Sequence, residues 1–522
     1  MTKQTKQTFI KGAMILLAAG IINRLLGFVP RIALPRIIGA EGVGLYQLSY
    51  PFLTVMLTII TGGIPLAVAK WIAEAESQGD SIRVKYIFRT AMALVTLLGI
   101  LMTAVMLLGA PWIIKHVLPD ARVYRTFIVM TPMLLIIGIS SVYRGYFQGK
   151  QNMIPTAVSQ IVETVLRIVA SLSFAYMLLP YGLEWGAAGA MLGAVVGEIG
   201  GLTVLLWKYY RDKHLLKQAT SQLPDQHAPK NVPVFRRLLG LSIPVTGSRL
   251  VGSFSYLLES ILTARSLAAA GIATGVATAQ YGALQGMIVP LLLLPTALTY
   301  SLAVSLIPSL SEAAARGDNS LIHKRLHQSM RLALVSGAPF VVIMSLFAEP
   351  ICRILYNHAE IAPMLQLIAP VGIFIYLQAP LQAALQALNK PGTALINTLI
   401  GAIVKLFLIM KLASDPDFGI YGALIAINVN IVLVTVLHGI SVLRFIGFHM
   451  KLSDFAKVGA AMIIMGAAAR FTMNQQPLTA EWINLLLACA ASVIIYLILM
   501  VGMKIIDRHD MIRIPLFGNW FK

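Results

Sequence analysis

Cysteine is nearly missing from this sequence: Cys352 and Cys489 are the two in 522 residues. Two such residues give no disulfide framework and no thiolate metal cluster. Charge is also scarce, at 12% of residues, against about 25% in soluble domains. Acids are the scarcer sign, with 21 Asp and Glu facing 41 Lys and Arg. No P-loop, HExxH or G-x-S-x-G motif occurs, and no polar module is large enough to hydrolyse ATP. An enzyme is therefore not expected, and no cofactor or metal site is implied. The energy for any transport would come from a gradient (Na+ or H+ as coupling ion), from the membrane potential or from the downhill flow of a substrate. The basic start, Met1 to Lys11, leads into an apolar stretch with no small-residue cleavage pattern, which predicts a retained first helix.

What the chain does have is apolar sequence. Hydrophobic types reach 58% and mean hydropathy is +0.80. A soluble globule cannot hide that much apolar surface, so the expectation is an all-α, polytopic membrane protein. Apolar runs of about 20 residues, the length that crosses a ~30 Å hydrocarbon core, recur about 14 times. They cover 9–36, 44–72, 86–112, 124–147, 154–179, 186–208, 237–266, 276–311, 330–349, 361–388, 392–413, 419–445, 455–472 and 481–506. Pro30, Pro35, Pro290, Pro295 and Pro308 predict bends in the long runs 9–36 and 276–311.

The formal charge of +20 need not mean nucleic acid. With both termini cytoplasmic, about 28 Lys and Arg fall on inner segments and about 7 on outer ones, the asymmetry of a protein of the bacterial cytoplasmic membrane. Six cations remain inside expected spans: Arg24, Arg31, Arg167, Arg249, Arg265 and Lys405.

A weak internal repeat divides the chain. Arg24-Leu25-Leu26-Gly27 returns as Arg249-Leu250-Val251-Gly252, and Glu74-Ala75 with Gly79-Asp80 returns as Glu312-Ala313 with Gly317-Asp318. Gln148 with Thr156-Ala157 returns as Gln386 with Thr393-Ala394, and Gly186, Gly189-Ala190 and Arg211 return as Gly419, Gly422-Ala423 and Arg444. The expected organisation is an N-lobe of six helices (1–211), a cytoplasmic linker (212–236), a C-lobe of six helices (237–446), and two further helices with a cytoplasmic tail (447–522). An even number of helices per half gives both lobes the same orientation, as in transporters that rock around a site between lobes.

A charge near the bilayer centre costs at least ~2.5–3.5 kcal/mol, so these cations need a reason. Arg24 lies 13 residues past Lys11, roughly 20 Å along a helix axis, and Arg31 is two turns further. The repeat sets Arg24 against Arg249 and Arg167 against Lys405. Arginine stays charged and grips phosphate in a bidentate manner, so Arg24, Arg249, Arg167, Lys405 and Arg31 are candidate binders of a diphosphate. Glu163, four residues before Arg167, is placed for an ion pair. Glu163, Glu198 and Glu259 either neutralise arginines or carry a coupling ion. Arg31 and Arg265 sit near outer helix ends, where snorkelling to the interface is the simpler explanation.

Several segments carry a family resemblance. They are Lys6 to Gly20, then Asn23-Arg24-Leu25-Leu26-Gly27-Phe28 with Arg31, Arg36 to Gly39, Gly42 to Tyr46, Gly63 to Ala67, and Leu306 to Ala313. Together they resemble the polysaccharide-transporter branch of the multidrug/oligosaccharidyl-lipid/polysaccharide exporter superfamily. The resemblance implies a 14-helix fold with alternating access. It also implies a lipid-linked oligosaccharide substrate of the undecaprenyl-diphosphate type, such as the peptidoglycan precursor of a spore cortex. The related lipid II flippases use a helix 1 pattern S-R-x-x-G-F-x-R; here Asn23 replaces the Ser and one additional residue precedes Arg31. Arg24 fits the pattern, and no arginine stands in 44–68 to match their helix 2 arginine. The expected partners are the lipid-linked sugar and membrane lipids, with a monomer as the working unit and an association with cell-wall synthesis enzymes. Two alternatives stay open: a cation-coupled multidrug antiporter on the same scaffold, and a membrane glycosyltransferase or polymer ligase.

Overall fold

The computed structural model describes residues 9–220, 234–475 and 479–505, and every regular element among them is helical, with no strand. The expected linker at 212–236 falls largely outside the described residues. So do Lys3 and Lys6 at the start, and the tail with Arg508 and Arg513.

Two compact units are present, Met1–Met287 and Ile288–Lys522. The first holds α1 (Phe9–Leu26), α2 (Phe28–Thr61), α3 (Ile64–Ser77), α4 (Ser81–His116), α5 (Val123–Met130), α6 (Pro132–Gly149), α7 (Ile154–Leu178), α8 (Leu183–Thr220), α9 (Val234–Ala269) and α10 (Thr274–Gly282). The second holds α11 (Val289–Leu292), α12 (Thr296–Ala315), α13 (Asn319–Leu346), α14 (Ala348–Tyr356), α15 (Ala362–Ile368), α16 (Gly372–Ala387), α17 (Pro391–Leu412), α18 (Ile420–Ile446), α19 (Leu452–Gln475) and α20 (Glu481–Gly502). These units are defined by contact, whereas the sequence repeat concerns residue pattern.

Among the described residues, 11 helical stretches are long and apolar enough to cross a membrane. The first two expected spans run together there as Met14–Ser77. The chain nevertheless leaves the helical path inside that stretch at Gly39 (φ 67, ψ 178) and again at Gly62–Gly63 between α2 and α3. The spans expected at 237–266 and 276–311 are not among the 11, for two physical reasons. Helix α9 dilutes its apolar residues with Arg249, Glu259, Arg265 and several serines. The region after it is broken by a π-helical turn over Ala283–Ile288 and by a turn before α12. The bend expected from Pro290 and Pro295 therefore appears as a chain of short helical pieces.

The repeat has a local structural counterpart. Gly79 (φ 72) and Gly317 (φ 67) both take the left-handed conformation that glycine tolerates. Asp80 then accepts from the Arg83 backbone N–H at 2.8 Å and Asp318 from that of Leu321 at 2.9 Å, each capping the following helix. The backbone bonds match as well, Asp80 N–H to Ala75 O at 2.9 Å and Asp318 N–H to Ala313 O at 3.0 Å. A second matched turn carries Gln151 and Asn389 at φ 56 and 58 before α7 and α17, each of which has proline in its first turn.

Each unit has its own apolar core. In the first, Leu45, Phe52, Ile72, Phe127 and Phe147 are buried together; in the second, Leu310, Leu326, Met465 and Tyr496 are. Many large apolar side chains point outward instead, among them Leu97, Leu108, Ile463, Phe471 and Ile498. A water-soluble protein rarely exposes so many, and a bilayer is the solvent that suits them.

Candidate functional site

In the first unit, α7 and α8 lie against each other because α8 presents glycines where α7 comes closest. A Cβ on Gly193 would stand 2.1 Å from the Ser171 backbone nitrogen, and one on Gly197 2.6 Å from Arg167 Cβ. Small residues at a four-residue spacing allow this approach within a membrane. The consequence is a fixed register between the helix that carries Glu163 and Arg167 and the one that carries Glu198.

That register assembles a buried charge cluster. Arg144 of α6 donates from Nη2 to Glu163 Oε2 at 2.7 Å, and Arg167 donates from Nη1 to Glu163 Oε1 at 3.2 Å. Glu163 and Glu198 are both buried, and Glu198 lies within electrostatic reach of Glu163, Arg144 and Arg167. The expected pairing of Glu163 with Arg167 is present, and Glu198 joins the same group. The sequence reading does not set Arg144 among the six cations inside expected spans. Its place inside an apolar stretch that also ran through 147 was the available signal.

Around this cluster the other candidates occupy neighbouring helices of the same unit. Helix α1 packs on α7, and α2 packs on α7, α8, α9 and α10. Arg24 of α1, Arg31 of α2 and Arg249 of α9 have exposed side chains on these largely apolar helices. Arg31 sits 5.9 Å from the Phe28 ring centre. Tyr46 and Tyr50 of α2 stack with ring centres 6.2 Å apart, and Tyr46 lies within electrostatic reach of both Arg31 and Arg167. Glu259 is buried on α9 and accepts from Gln285 Nε2 at 2.9 Å. Arg265 donates to the His116 carbonyl at 2.8 Å, closing the end of α4. Lys405 belongs to α17 in the second unit and is half-buried there.

A second network was not anticipated from sequence. Asp120, in the loop after α4, accepts from Arg122 Nε at 3.0 Å, from Arg122 Nη2 at 2.8 Å and from Thr278 Oγ1 of α10 at 2.8 Å. Arg122 also pairs with Glu41 of α2 at 2.7 Å. Burial pushes the Asp120 carboxyl up, but the hydrogen bonds from Arg122 and Thr278 outweigh it and hold the group below the usual carboxylate range. Beside this network, Arg125 lies 4.0 Å from the Trp185 ring centre, at the edge of a cleft of about 600 Å³ that Tyr124 and Glu184 also line.

Comparison with known proteins supplies the family. The polysaccharide biosynthesis protein family matches residues 9–314, and the MatE family matches 253–410. The chain is 40% identical over 517 residues to stage V sporulation protein B of Bacillus subtilis (strain 168), covering 98% of this chain and 99% of that one. It is 26% identical over 477 residues to lipid II flippase MurJ of the same organism, covering 88% and 86%. Among solved structures, the fold is similar to lipid II flippase MurJ in an inward closed conformation, with a TM-score of 0.69, 15% identity, and 94% and 99% of the two chains covered. The chain thus belongs to the polysaccharide biosynthesis protein family, on the polysaccharide-transporter branch of the multidrug/oligosaccharidyl-lipid/polysaccharide exporter superfamily.

Proposed function

We propose that this protein is a flippase, not an enzyme, that moves a lipid-linked oligosaccharide across the bacterial cytoplasmic membrane by alternating access. The substrate is of the undecaprenyl-diphosphate type, a peptidoglycan precursor destined for spore cortex. The observation that carries the reading is the gathering of Arg24, Arg31, Arg167 and Arg249 on adjoining apolar helices of one unit. Cations at such a cost suit a diphosphate, and the relatives named for sporulation and for lipid II flipping support the same substrate class. Arg24 and Arg249 engage the diphosphate, with Arg167 and Arg31 assisting. Lys405 is the remaining candidate, and its role rests on the sequence repeat. Both termini are cytoplasmic in this reading, by the asymmetry of Lys and Arg, and the monomer is the working unit.

Reconstitution in liposomes tests it, with labelled undecaprenyl-diphosphate sugars scored for change of leaflet. Wild type is expected to flip them, and Arg24→Ala to lose flipping at normal protein levels. Full activity in that variant counts against the assignment. The MatE match over 253–410 favours a second reading, a cation-coupled drug antiporter. Drug resistance on overexpression, with no flipping, would establish that one.

A further inference from the structure

We infer that Glu163 is a built-in competing anion, which holds Arg167 while the site is empty and yields it to a substrate phosphate. The inference rests on the flippase reading for its ligand class and on the geometry of one carboxylate for its mechanism. Glu163 has two arginine partners of unequal grip. Arg144 binds Oε2 at 2.7 Å with 21% of its side chain exposed, while Arg167 binds Oε1 at 3.2 Å with 35% exposed. The carboxylate between them is 11% exposed. Arg167 is therefore the looser and more accessible partner, and Arg144 the tighter and deeper one.

The asymmetry decides which bond can open. A carboxylate left in a low-dielectric interior without a cation is costly. If Arg167 turns away, Glu163 keeps its 2.7 Å bond to Arg144. If Arg144 left, the weaker contact alone would have to hold a buried charge. The backbone cannot drift to accommodate a different exchange, because Gly197 and Gly201 hold α8 close against Arg167 Cβ and Glu163 Cβ. A side-chain movement of Arg167 is then the available motion. Helix α1, which carries Arg24, packs along the same α7, so a phosphate held by Arg24 has Arg167 on the neighbouring helix. Carboxylate and phosphate offer the same acceptor geometry to a guanidinium, which makes the exchange one of like for like. Binding and release are then both eased: the phosphate need not strip a bare cation of its only partner, and on departure the carboxylate takes the place back.

Arg144 is on this account a positioning residue. The test uses the full-length protein in detergent micelles, with undecaprenyl diphosphate as probe and native mass spectrometry as the binding readout. Glu163→Gln removes the competitor, and is expected to bind the probe at least about fivefold tighter, the lower end of a typical coupling between two ligands of one group, and to flip more slowly. Arg167→Gln should bind more weakly. The double variant E163Q/R167Q should match Arg167→Gln, since without Arg167 there is nothing to compete for. Unchanged or weaker binding by folded Glu163→Gln overturns the inference, as does a gain that persists in the double variant. Should Glu163→Gln fail to fold, Glu163→Asp shortens the carboxylate by one methylene and further loosens the 3.2 Å contact with Arg167, so a smaller gain in binding is expected and the same criteria apply to it. Competition with inorganic pyrophosphate separates a free phosphate from a lipid headgroup as the recognised group; a tighter grip on either supports the exchange. A variant that shows the gain in a protein that flips nothing removes the flippase reading and leaves the exchange standing, whereas flipping without any gain does the reverse.

Discussion

Arg144 and Glu163 belong to different helices, and a 2.7 Å hydrogen bond joins them inside the apolar body of the first unit. Removing one partner of such a pair is expected to hurt more than the pair itself helps, because the other is left charged in a low dielectric. Arg144→Ala should lower stability by about 2–3 kcal/mol, less than a fully dry pair would because Arg167 still touches the carboxylate. Thermal unfolding in detergent measures it. Arg144→Ala combined with Glu163→Gln should recover part of the loss; an additive double variant would show that the two groups do not act as a pair.

Gly193 sets the approach of α8 to α7. Its Cβ would lie 2.1 Å from the Ser171 nitrogen, a separation that no side chain can relieve because the obstacle is backbone. Gly193→Ala should therefore force the helices apart, cost roughly 2 kcal/mol or more as an overpacked contact does, and disturb the Glu163 cluster one turn away. Gly252→Ala meets open space in the middle of α9 and should leave melting unchanged or raise stability by up to about 1 kcal/mol of helix propensity, which makes it the matched control.

The two repeated turns give a paired prediction. Asp80 and Asp318 cap equivalent helices by equivalent bonds, so Asp80→Ala and Asp318→Ala should each cost about 1 kcal/mol. Asn at either position should restore most of it, since its side-chain oxygen accepts the same backbone N–H. Melting of the four single variants checks both statements at once.

These turns also show how much of the molecule the sequence discloses. Glu74-Ala75 with Gly79-Asp80, and its echo at 312–318, could be read because a cap and a left-handed glycine are local events, spaced by the backbone alone. Apolar runs were legible for the same reason. Where polar residues interrupt an apolar stretch, as Arg249 and Glu259 do in α9, hydropathy weakens although the helix persists over Val234–Ala269. The pair Glu163 and Arg167 was visible because four residues along a helix make one face. Arg144 was not paired with them, nor Glu41 and Thr278 with the Asp120 loop, since those partners meet through the packing register of separate helices, which no spacing in the chain records.

Asp120 makes the pH dependence of the first unit testable. Burial raises its carboxyl, but bonds from Arg122 and Thr278 more than offset that, so its folded value lies below the ordinary value of 3.8. For a depressed acid the sign is fixed: the folded state binds fewer protons than the unfolded one at intermediate pH. The stabilisation is fully present above about 3.8 and is lost as pH falls through the folded value. Asp120→Asn should accordingly cost about 1–2 kcal/mol at neutral pH, at the lower end because Arg122 is partly solvated, and should flatten the acid limb of the stability profile. Wild type and variant should converge as the pH is lowered below 3.8. Unfolding followed across that range in detergent decides it: two curves that stay parallel down to the most acid point would mean that Asp120 serves as a neutral hydrogen-bond acceptor rather than as the anion that ties Arg122 to α2 and α10.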